Sequence, residues 1–271
     1  MAIAASPLST HSQPGPAPGD SYVQSFARGL EVIRSFSASA PRQTLSEVAA
    51  RSGLTRAGAR RILLTLQTLG YVDSDGKHFS LTPRILDLGF AYLSSMPIWN
   101  LAEPVMESLV EEIKESCSAA VLDGTDIVYV LRVSTHKIMS ITLGVGSRLP
   151  AYCTSMGRVL LAALPEEQAM ALLKGSHPQA LTRHTVTDLD ALRQKLAQTR
   201  KQGWCLVNQE LEEGLVSIAA PVQDRAGRTV AALNISGQAN RTSARVMQDN
   251  MLQPLLQAAQ TVSRLLTVQN N

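Results

Sequence analysis

Residues 44–69, TLSEVAARSGLTRAGARRILLTLQTL, carry two capped amphipathic helical patterns joined through Ser52-Gly53-Leu54, and few folds accommodate two helices so closely spaced. The Thr44 hydroxyl can accept a bond from a first-turn N–H while Glu47, three residues later, reaches back to form a capping box. Leu45, Val48 and Ala49 share one face, and Gly53 supplies the left-handed residue that ends a helix at little steric cost. Thr55 is the expected cap of the second helix, whose buried stripe is read as Ala59, Ile62, Leu63, Leu66 and Leu69. That stripe leaves Ala57, Arg60 and Arg61 facing outward, with Thr55 and Arg56 at the helix entry. The pattern is a helix-turn-helix.

The flanking segments extend it. Phe26, Leu30, Val32, Ile33 and Phe36 predict a preceding amphipathic helix. Downstream, Gly70-Tyr71-Val72-Asp73 runs through Ser74-Asp75-Gly76 into Lys77-His78-Phe79-Ser80-Leu81, a short hairpin with a turn rich in Asp and Gly. Three helices and a hairpin make a winged helix. A helix face of small residues and arginines can approach a major groove, and a wing bearing Lys77 and His78 can reach a phosphate or the minor groove. The expected DNA-contacting residues are Thr44, Thr55, Arg56, Ala57, Arg60, Arg61, Lys77 and His78. Surface arginines by themselves are usually a solvated face, but charge supports the reading. Between Tyr22 and Thr82 there are eight Lys/Arg against four acids, a local net of +4 in a chain whose formal net charge is +3, so the remainder carries −1.

At 271 residues, 45% apolar and 17% charged, the chain is long enough for two moderate globular domains. Residues 1–21 are rich in Pro, Ser, Gly and Ala and lack a basic start followed by an apolar run, so they read as a disordered tail and not as a signal peptide. No apolar run approaches the roughly 20 residues needed to span a bilayer, so no membrane partner is expected. The three cysteines, Cys117, Cys153 and Cys205, are widely spaced with no CxxC pair, which argues against a disulfide framework or zinc site and for a cytoplasmic location.

The winged helix is expected over residues 22–82, a linker helix over 83–96 and a second domain over 97–268, giving an α+β fold class. In the linker, Ile85, Leu86, Leu88, Phe90, Tyr92 and Leu93 place apolar groups nearly all round, ending at Met96-Pro97. Such a helix must be covered on every side, which implies packing against the second domain and a partner subunit, hence a homodimer or tetramer. Leu101 to Ser116 reads as an amphipathic helix with Pro104 in its first turn. Strand patterns follow in SAAVL, IVYVLRV, IMSITLGV, GLVSIAAPV and TVAALNISG, with helices near residues 155–163, 166–174 and 189–202. A long final helix over 243–266 is expected to kink at Pro254.

The segment from Gly144 to Gly157, GVGSRLPAYCTSMG, runs into the helix RVLLAAL. With Thr154 as its cap, the first turn offers the N–H groups of Ser155, Met156 and Gly157 at the positive end of the helix dipole, a site suited to a carboxylate or phosphate. Arg148 and Arg158 lie near in sequence and can add charge. A capped core helix after a loop would look the same, but polar residues converge: Asn234 and Ser236 share a strand face with Val230 and Ala232, and Ser217 interrupts LVSIAAPV. Three such breaks, with Asn208 and Glu210 in the loop after Trp204 to close one side, fit a pocket for a small polar ligand. No activated group of an enzyme is apparent. Gly144-Val145-Gly146 lacks the third glycine of a dinucleotide fingerprint, GxSxG, HExxH and P-loop patterns are missing, and the histidines do not cluster, so neither a cofactor nor a metal is expected.

The chain resembles the IclR-type transcriptional regulators over about Ser21 to Leu266, through SFARGLEVIRSF, the helix-turn-helix, GYVDSDGKHFSLTPRILDLG, GSRLPAYCTSMGRVLLA, TRKQGW, GLVSIAAPV and ALNISG. The form LPAYCTSMGRVLLA is similar to the branch controlling aromatic acid catabolism through the β-ketoadipate pathway. The resemblance implies a GAF-like α/β effector-binding domain behind the winged helix, with an effector such as protocatechuate, p-hydroxybenzoate or β-ketoadipate. It places effector contacts at Thr154, Ser155 and Met156, at Val207 and Asn208, and at Ser217, Asn234 and Ser236, to which proximity in sequence adds Arg148. Family members often carry acids where this chain has Val207-Asn208, and fewer acids suit a more anionic or bulkier ligand. The implied partners are a double-stranded DNA operator, the effector, further copies of the chain and RNA polymerase. Two other classes stay open on sequence alone: a metabolite-binding enzyme with an appended winged helix, and a DNA-binding scaffold that responds to no ligand.

Overall fold

A computed structural model describes Gly19 and residues 22–95, 98–135 and 143–269. The chain divides into two compact units, with the division between residues 95 and 96. The tail expected over 1–21, the Met96-Pro97 helix end and most of the strand expected in IMSITLGV lie outside the described residues.

In the first unit, α1 (Gln24–Arg34), α2 (Leu45–Arg51) and α3 (Arg56–Thr68) surround a core of Val32, Phe36, Val48, Ala49, Ala59, Leu63, Leu66 and Val72. The helix ends obey local chemistry. Thr44 and Glu47 form the reciprocal capping box, the Thr55 hydroxyl accepts from Gly58 N–H at 3.1 Å, and Gly53 takes the left-handed conformation with φ 65°. Strands β1 (Arg42–Thr44), β2 (Val72–Ser74) and β3 (His78–Leu81) form an antiparallel sheet in the order β1-β3-β2. Two residues of the expected apolar stripes are exposed: Leu69 caps the C-terminus of α3 at 51% exposure, and Phe26 is 68% exposed on α1. A helical turn at Pro83–Ile85 leads into α4 (Leu86–Ser94), on which Leu86, Leu88, Phe90 and Tyr92 are all exposed.

The second unit is built on a six-stranded antiparallel sheet. Its strands are β4 (Ser116–Asp123), β5 (Asp126–Val133), β6 (Arg148–Pro150), β7 (Cys205–Asn208), β8 (Leu215–Gln223) and β9 (Thr229–Gln238), in the order β6-β5-β4-β9-β8-β7. One face carries α6 (Ser155–Ala162), with α7 (Glu166–Gly175) and α8 (Leu189–Gln202) packed on α6; the other carries α5 (Ile98–Ile113) and α9 (Ala244–Gln269). Cover on both faces explains why β8 and β9 are almost continuously buried instead of alternating. Because α5 starts at Ile98 and not at Leu101, Pro104 sits in the helix interior, where its missing N–H leaves the Asn100 carbonyl without its usual donor. Pro254 likewise lies inside an uninterrupted α9.

Every residue of α6 is buried. Its first turn lies against the helical turn Ala151–Cys153 so tightly that a Cβ on Gly157 would fall 2.2 Å from the Ala151 carbonyl oxygen and 2.4 Å from its Cα. Those neighbours are backbone and cannot step aside as a side chain could. Gly157→Ala is therefore expected to cost about 3 kcal/mol or more by overpacking, read as a lower denaturant midpoint; an unchanged midpoint would contradict the contact.

Candidate functional site

The first unit presents Thr55, Arg56, Ala57, Arg60 and Arg61 together on the exposed side of α3, opposite its Ala59-Leu63-Leu66 stripe. None of the three arginines makes an ion pair among the described residues, so their charge is available to a partner. Thr44 is placed differently: its N–H and hydroxyl both donate to the Glu47 carboxylate at 2.7 and 2.8 Å, which holds that acid below its ordinary pKa. The wing is pinned by Asp75. Its carboxylate accepts from the backbone N–H of His78 at 2.7 Å and of Lys77 at 2.9 Å, and from Arg42 Nη2 on β1 at 2.6 Å. The His78 and Lys77 backbone bonds lower its pKa well below the usual carboxylate range. Lys77 is exposed and His78 half-buried, its Nδ1 lying 3.3 Å from Asp75. The short β1, which has no sequence pattern of its own, is what brings Arg42 to this turn.

In the second unit, a cavity of about 30 Å³ lies between α6 and the sheet, lined by Thr154, Ser155, Met156, Val207, Ser217, Asn234 and Ser236, and by Tyr129, Arg132, Leu143, Cys153, Leu211 and Leu215. No acid is in this lining among the described residues. The strand register explains the convergence, because Ser236 on β9 pairs with Ser217 on β8, which pairs with Val207 on β7, so side chains of one row share a face. The Ser155 hydroxyl donates to Ser217 Oγ at 2.9 Å, and Asn234 Oδ1 accepts from Ser118 N–H at 3.1 Å. Thr154 Oγ1 caps Gly157 N–H at 3.2 Å, so of the three N–H groups expected to be free in the first turn only those of Ser155 and Met156 lack a partner among the described residues. Asn234 Nδ2 and the Ser236 hydroxyl are likewise unused there. Burial pushes the Cys153 thiol up to about 12, so it stays protonated and is a poor nucleophile.

Seven of the nine residues expected at an effector site meet at this cavity, and two do not. Arg148 lies on edge strand β6, where its guanidinium is held by Asp123 at 2.6 Å and Asp126 at 3.3 Å beside the β4–β5 turn. Asn208 ends β7, an edge strand where a loop was expected, and is exposed. Tyr129, Arg132, Leu143, Leu211 and Leu215 were not anticipated. They come from distant stretches of chain, and only strand pairing shows that they meet.

Arg158 and Glu210 have another role than the expected charge and lid. Arg158 is 1% exposed on α6, and its Nη1 and Nη2 donate to the Glu210 carboxylate at 2.7 and 2.5 Å while Nε donates to Tyr152 O at 2.8 Å. Glu210 also accepts from Val186 N–H at 3.0 Å, and its carbonyl accepts from the Thr185 hydroxyl at 2.6 Å. One bidentate pair thus ties α6 to the β7–β8 loop and to the 182–186 segment, and neutralises the charge that Arg158 would have brought to the cavity. Replacing one partner, as in Arg158→Met or Glu210→Gln, should cost about 3–5 kcal/mol in denaturant unfolding, and the double variant R158M/E210M should recover much of it. Single variants of near wild-type stability would refute this role.

Two family models cover most of the chain: the IclR helix-turn-helix domain matches residues 25–76, and the bacterial transcriptional regulator IclR C-terminal domain matches residues 90–264. The Pca regulon regulatory protein of Pseudomonas putida is 42% identical over 239 residues, covering 88% of this chain and 82% of that protein. The p-hydroxybenzoate hydroxylase transcriptional activator of Acinetobacter baylyi is 34% identical, covering 88% of this chain and 89% of that protein. Among solved structures, an IclR homologue of Microbacterium hydrocarbonoxydans complexed with 4-hydroxybenzoate superposes with a TM-score of 0.77 at 25% identity, covering 89% of this chain and 98% of that one. A winged helix with a free arginine face, an α/β domain whose small cavity opens on a helix N-terminus, and these matches lead to one assignment: the chain belongs to the IclR family of transcriptional regulators.

Proposed function

We propose that this regulator senses a small aromatic or dicarboxylic acid in the cavity beneath α6 and reports it to an operator through Arg56, Arg60 and Arg61, controlling genes of aromatic acid catabolism. The observation that carries the reading is the lining. Among the described residues it contains no Asp or Glu, one arginine and several unused donors, namely the Ser155 and Met156 N–H groups, Asn234 Nδ2 and the Ser236 hydroxyl. Donors at a helix N-terminus facing apolar walls suit a carboxylate on a compact carbon frame. The relative complexed with 4-hydroxybenzoate and the relative named for p-hydroxybenzoate hydroxylase support the same class of effector.

The cavity of about 30 Å³ holds a water or two, so an acid with a ring or a six-carbon chain has to part the walls formed by Leu143, Leu211 and Leu215. Binding is then coupled to a change of shape, which is what a regulator needs, since a ligand shifts an equilibrium only by binding its two states unequally. The exposed Leu86, Leu88, Phe90 and Tyr92 of α4 support assembly into a dimer or tetramer, which would set two winged helices on half-sites about 10 bp, or a multiple, apart. In this reading the protein is a cytoplasmic regulator and not an enzyme, Thr55, Ala57, Lys77 and His78 join the arginines at the DNA, Thr44 shapes the turn beside them, and RNA polymerase is a partner at the promoter.

Two measurements test it. Calorimetry with 4-hydroxybenzoate should show saturable binding that Ser236→Ala weakens about fivefold, the size of one hydrogen bond; the absence of heat with any small aromatic or aliphatic acid would remove the sensor. In gel shifts, Arg56→Ala, Arg60→Ala and Arg61→Ala should each weaken operator binding and lower its salt dependence by about one ion while effector affinity holds. Undiminished operator binding would clear α3 of the recognition role.

A further inference from the structure

We infer that Tyr129 and Arg132 form a second recognition pole in the cavity, which selects acids bearing a further anionic or hydroxyl oxygen at the end away from the carboxylate. This rests on the small-acid reading above. In a regular strand, residues three apart point to opposite faces. Here Ala119 pairs with Leu131 but Ala120 pairs with Tyr129, so Val130 is an extra residue, a β-bulge. The bulge resets the alternation. Tyr129 lies opposite Ala120 and Arg132 opposite Ser118, and those two β4 residues share a face that continues through Ala232 and Asn234 on β9. Both Tyr129 and Arg132 therefore line the cavity.

Neither has its polar group used up by the described residues. Tyr129 is 5% exposed, and its hydroxyl makes no hydrogen bond among the described residues. Arg132 donates through Nε to the Ser134 hydroxyl at 3.1 Å and has no acidic partner among the described residues. The contrast with its neighbours is informative: Arg148 is taken by Asp123 and Asp126, and Arg158 by Glu210. Burial raises the Tyr129 phenol to about 12, against the opposing effect of the Arg132 charge, so the hydroxyl remains a donor at neutral pH.

The sheet order separates this pole from the first. Strand β5 lies two strands from β9 and three from β8, so at about 4.8 Å per strand the Arg132 backbone is roughly 10 Å from Asn234 and 14 Å from the β8 row that carries Ser217. Between them β4 offers this face Ser116, Ser118 and Ala120, small side chains that leave room, and the buried Ser118 hydroxyl has no partner among the described residues. Donors at both ends of an apolar-walled space match a ligand with an oxygen group at each end.

Calorimetry on the full-length protein with two matched pairs of probes, benzoate against 4-hydroxybenzoate and hexanoate against adipate, tests the second pole alone. Wild-type protein should prefer the doubly oxygenated member of at least one pair by about tenfold or more, the scale of a charge-assisted hydrogen bond. Arg132→Gln or Tyr129→Phe should shrink that ratio to below about threefold while affinity for the singly oxygenated member stays within about twofold, which general damage to the pocket would not do. Equal affinities within both pairs, or a preference that survives both substitutions, would overturn the inference. Failure of all four acids to bind would overturn the small-acid reading and this inference with it, a result distinct from one in which benzoate binds and its second oxygen goes unread.

Discussion

The second unit depends on the complete burial of one short helix. Helix α6 packs on the sheet with every residue covered, and three contacts make that burial specific. Thr154 caps its first turn, Gly157 lets it touch the Ala151 backbone, and Arg158 carries a charge into the interior only because Glu210 meets it in bidentate fashion. A buried charge without that partner would cost several kcal/mol, so the pair dictates where the β7–β8 loop lies. That loop in turn supplies Leu211 to the cavity wall and leads into Leu215 at the start of β8, so the cavity is shaped by the same interaction that stabilises the fold around it.

The winged helix is organised by weaker, local bonds. Asp75 gathers two backbone N–H groups and Arg42 at the wing turn, and Thr44 with Glu47 closes the entry of α2. Both carboxylates are exposed, and neither is left free to repel a phosphate backbone, while the arginines of α3 have no acid beside them among the described residues. Acids are thus spent on shape and cations left for a partner, which is how a unit with a modest surplus can present a strongly positive face. The linker exit is also fixed within this unit: the Thr82 hydroxyl donates to the Gly70 carbonyl at 2.6 Å, and Arg84 lies over the Tyr71 ring at 5.6 Å.

Helix chemistry was readable because caps and turns act over three or four residues. Thr44, Thr55 and Thr154 all cap as their spacing suggests, and Gly53 turns as expected. The polar breaks at Ser217, Asn234 and Ser236 were readable as well, since period-two alternation assigns a face without knowledge of the partner strand. Sequence failed where a short element or a single residue draws its meaning from a distant one. Strands β1, β6 and β7 have three or four residues and no pattern of their own, and they exist because a neighbouring strand offers unpaired backbone groups. Leu69 and Phe26 fit an apolar stripe by angle yet face solvent, because the core ends before it reaches them.

The sequence alone determined the class of the molecule: a basic winged helix joined to an α/β domain with a capped helix and polar strand positions, all of it encoded in contacts between near neighbours along the chain. Tertiary structure decided the chemistry of the cavity. It sent Arg148 to Asp123 and Asp126, buried Arg158 against Glu210, and through one extra residue in β5 turned Tyr129 and Arg132 to the same face. Which charges are neutralised and which remain free depends on strand register and sheet order, and these are set by pairing across more than a hundred residues, as between Ser118 and Asn234.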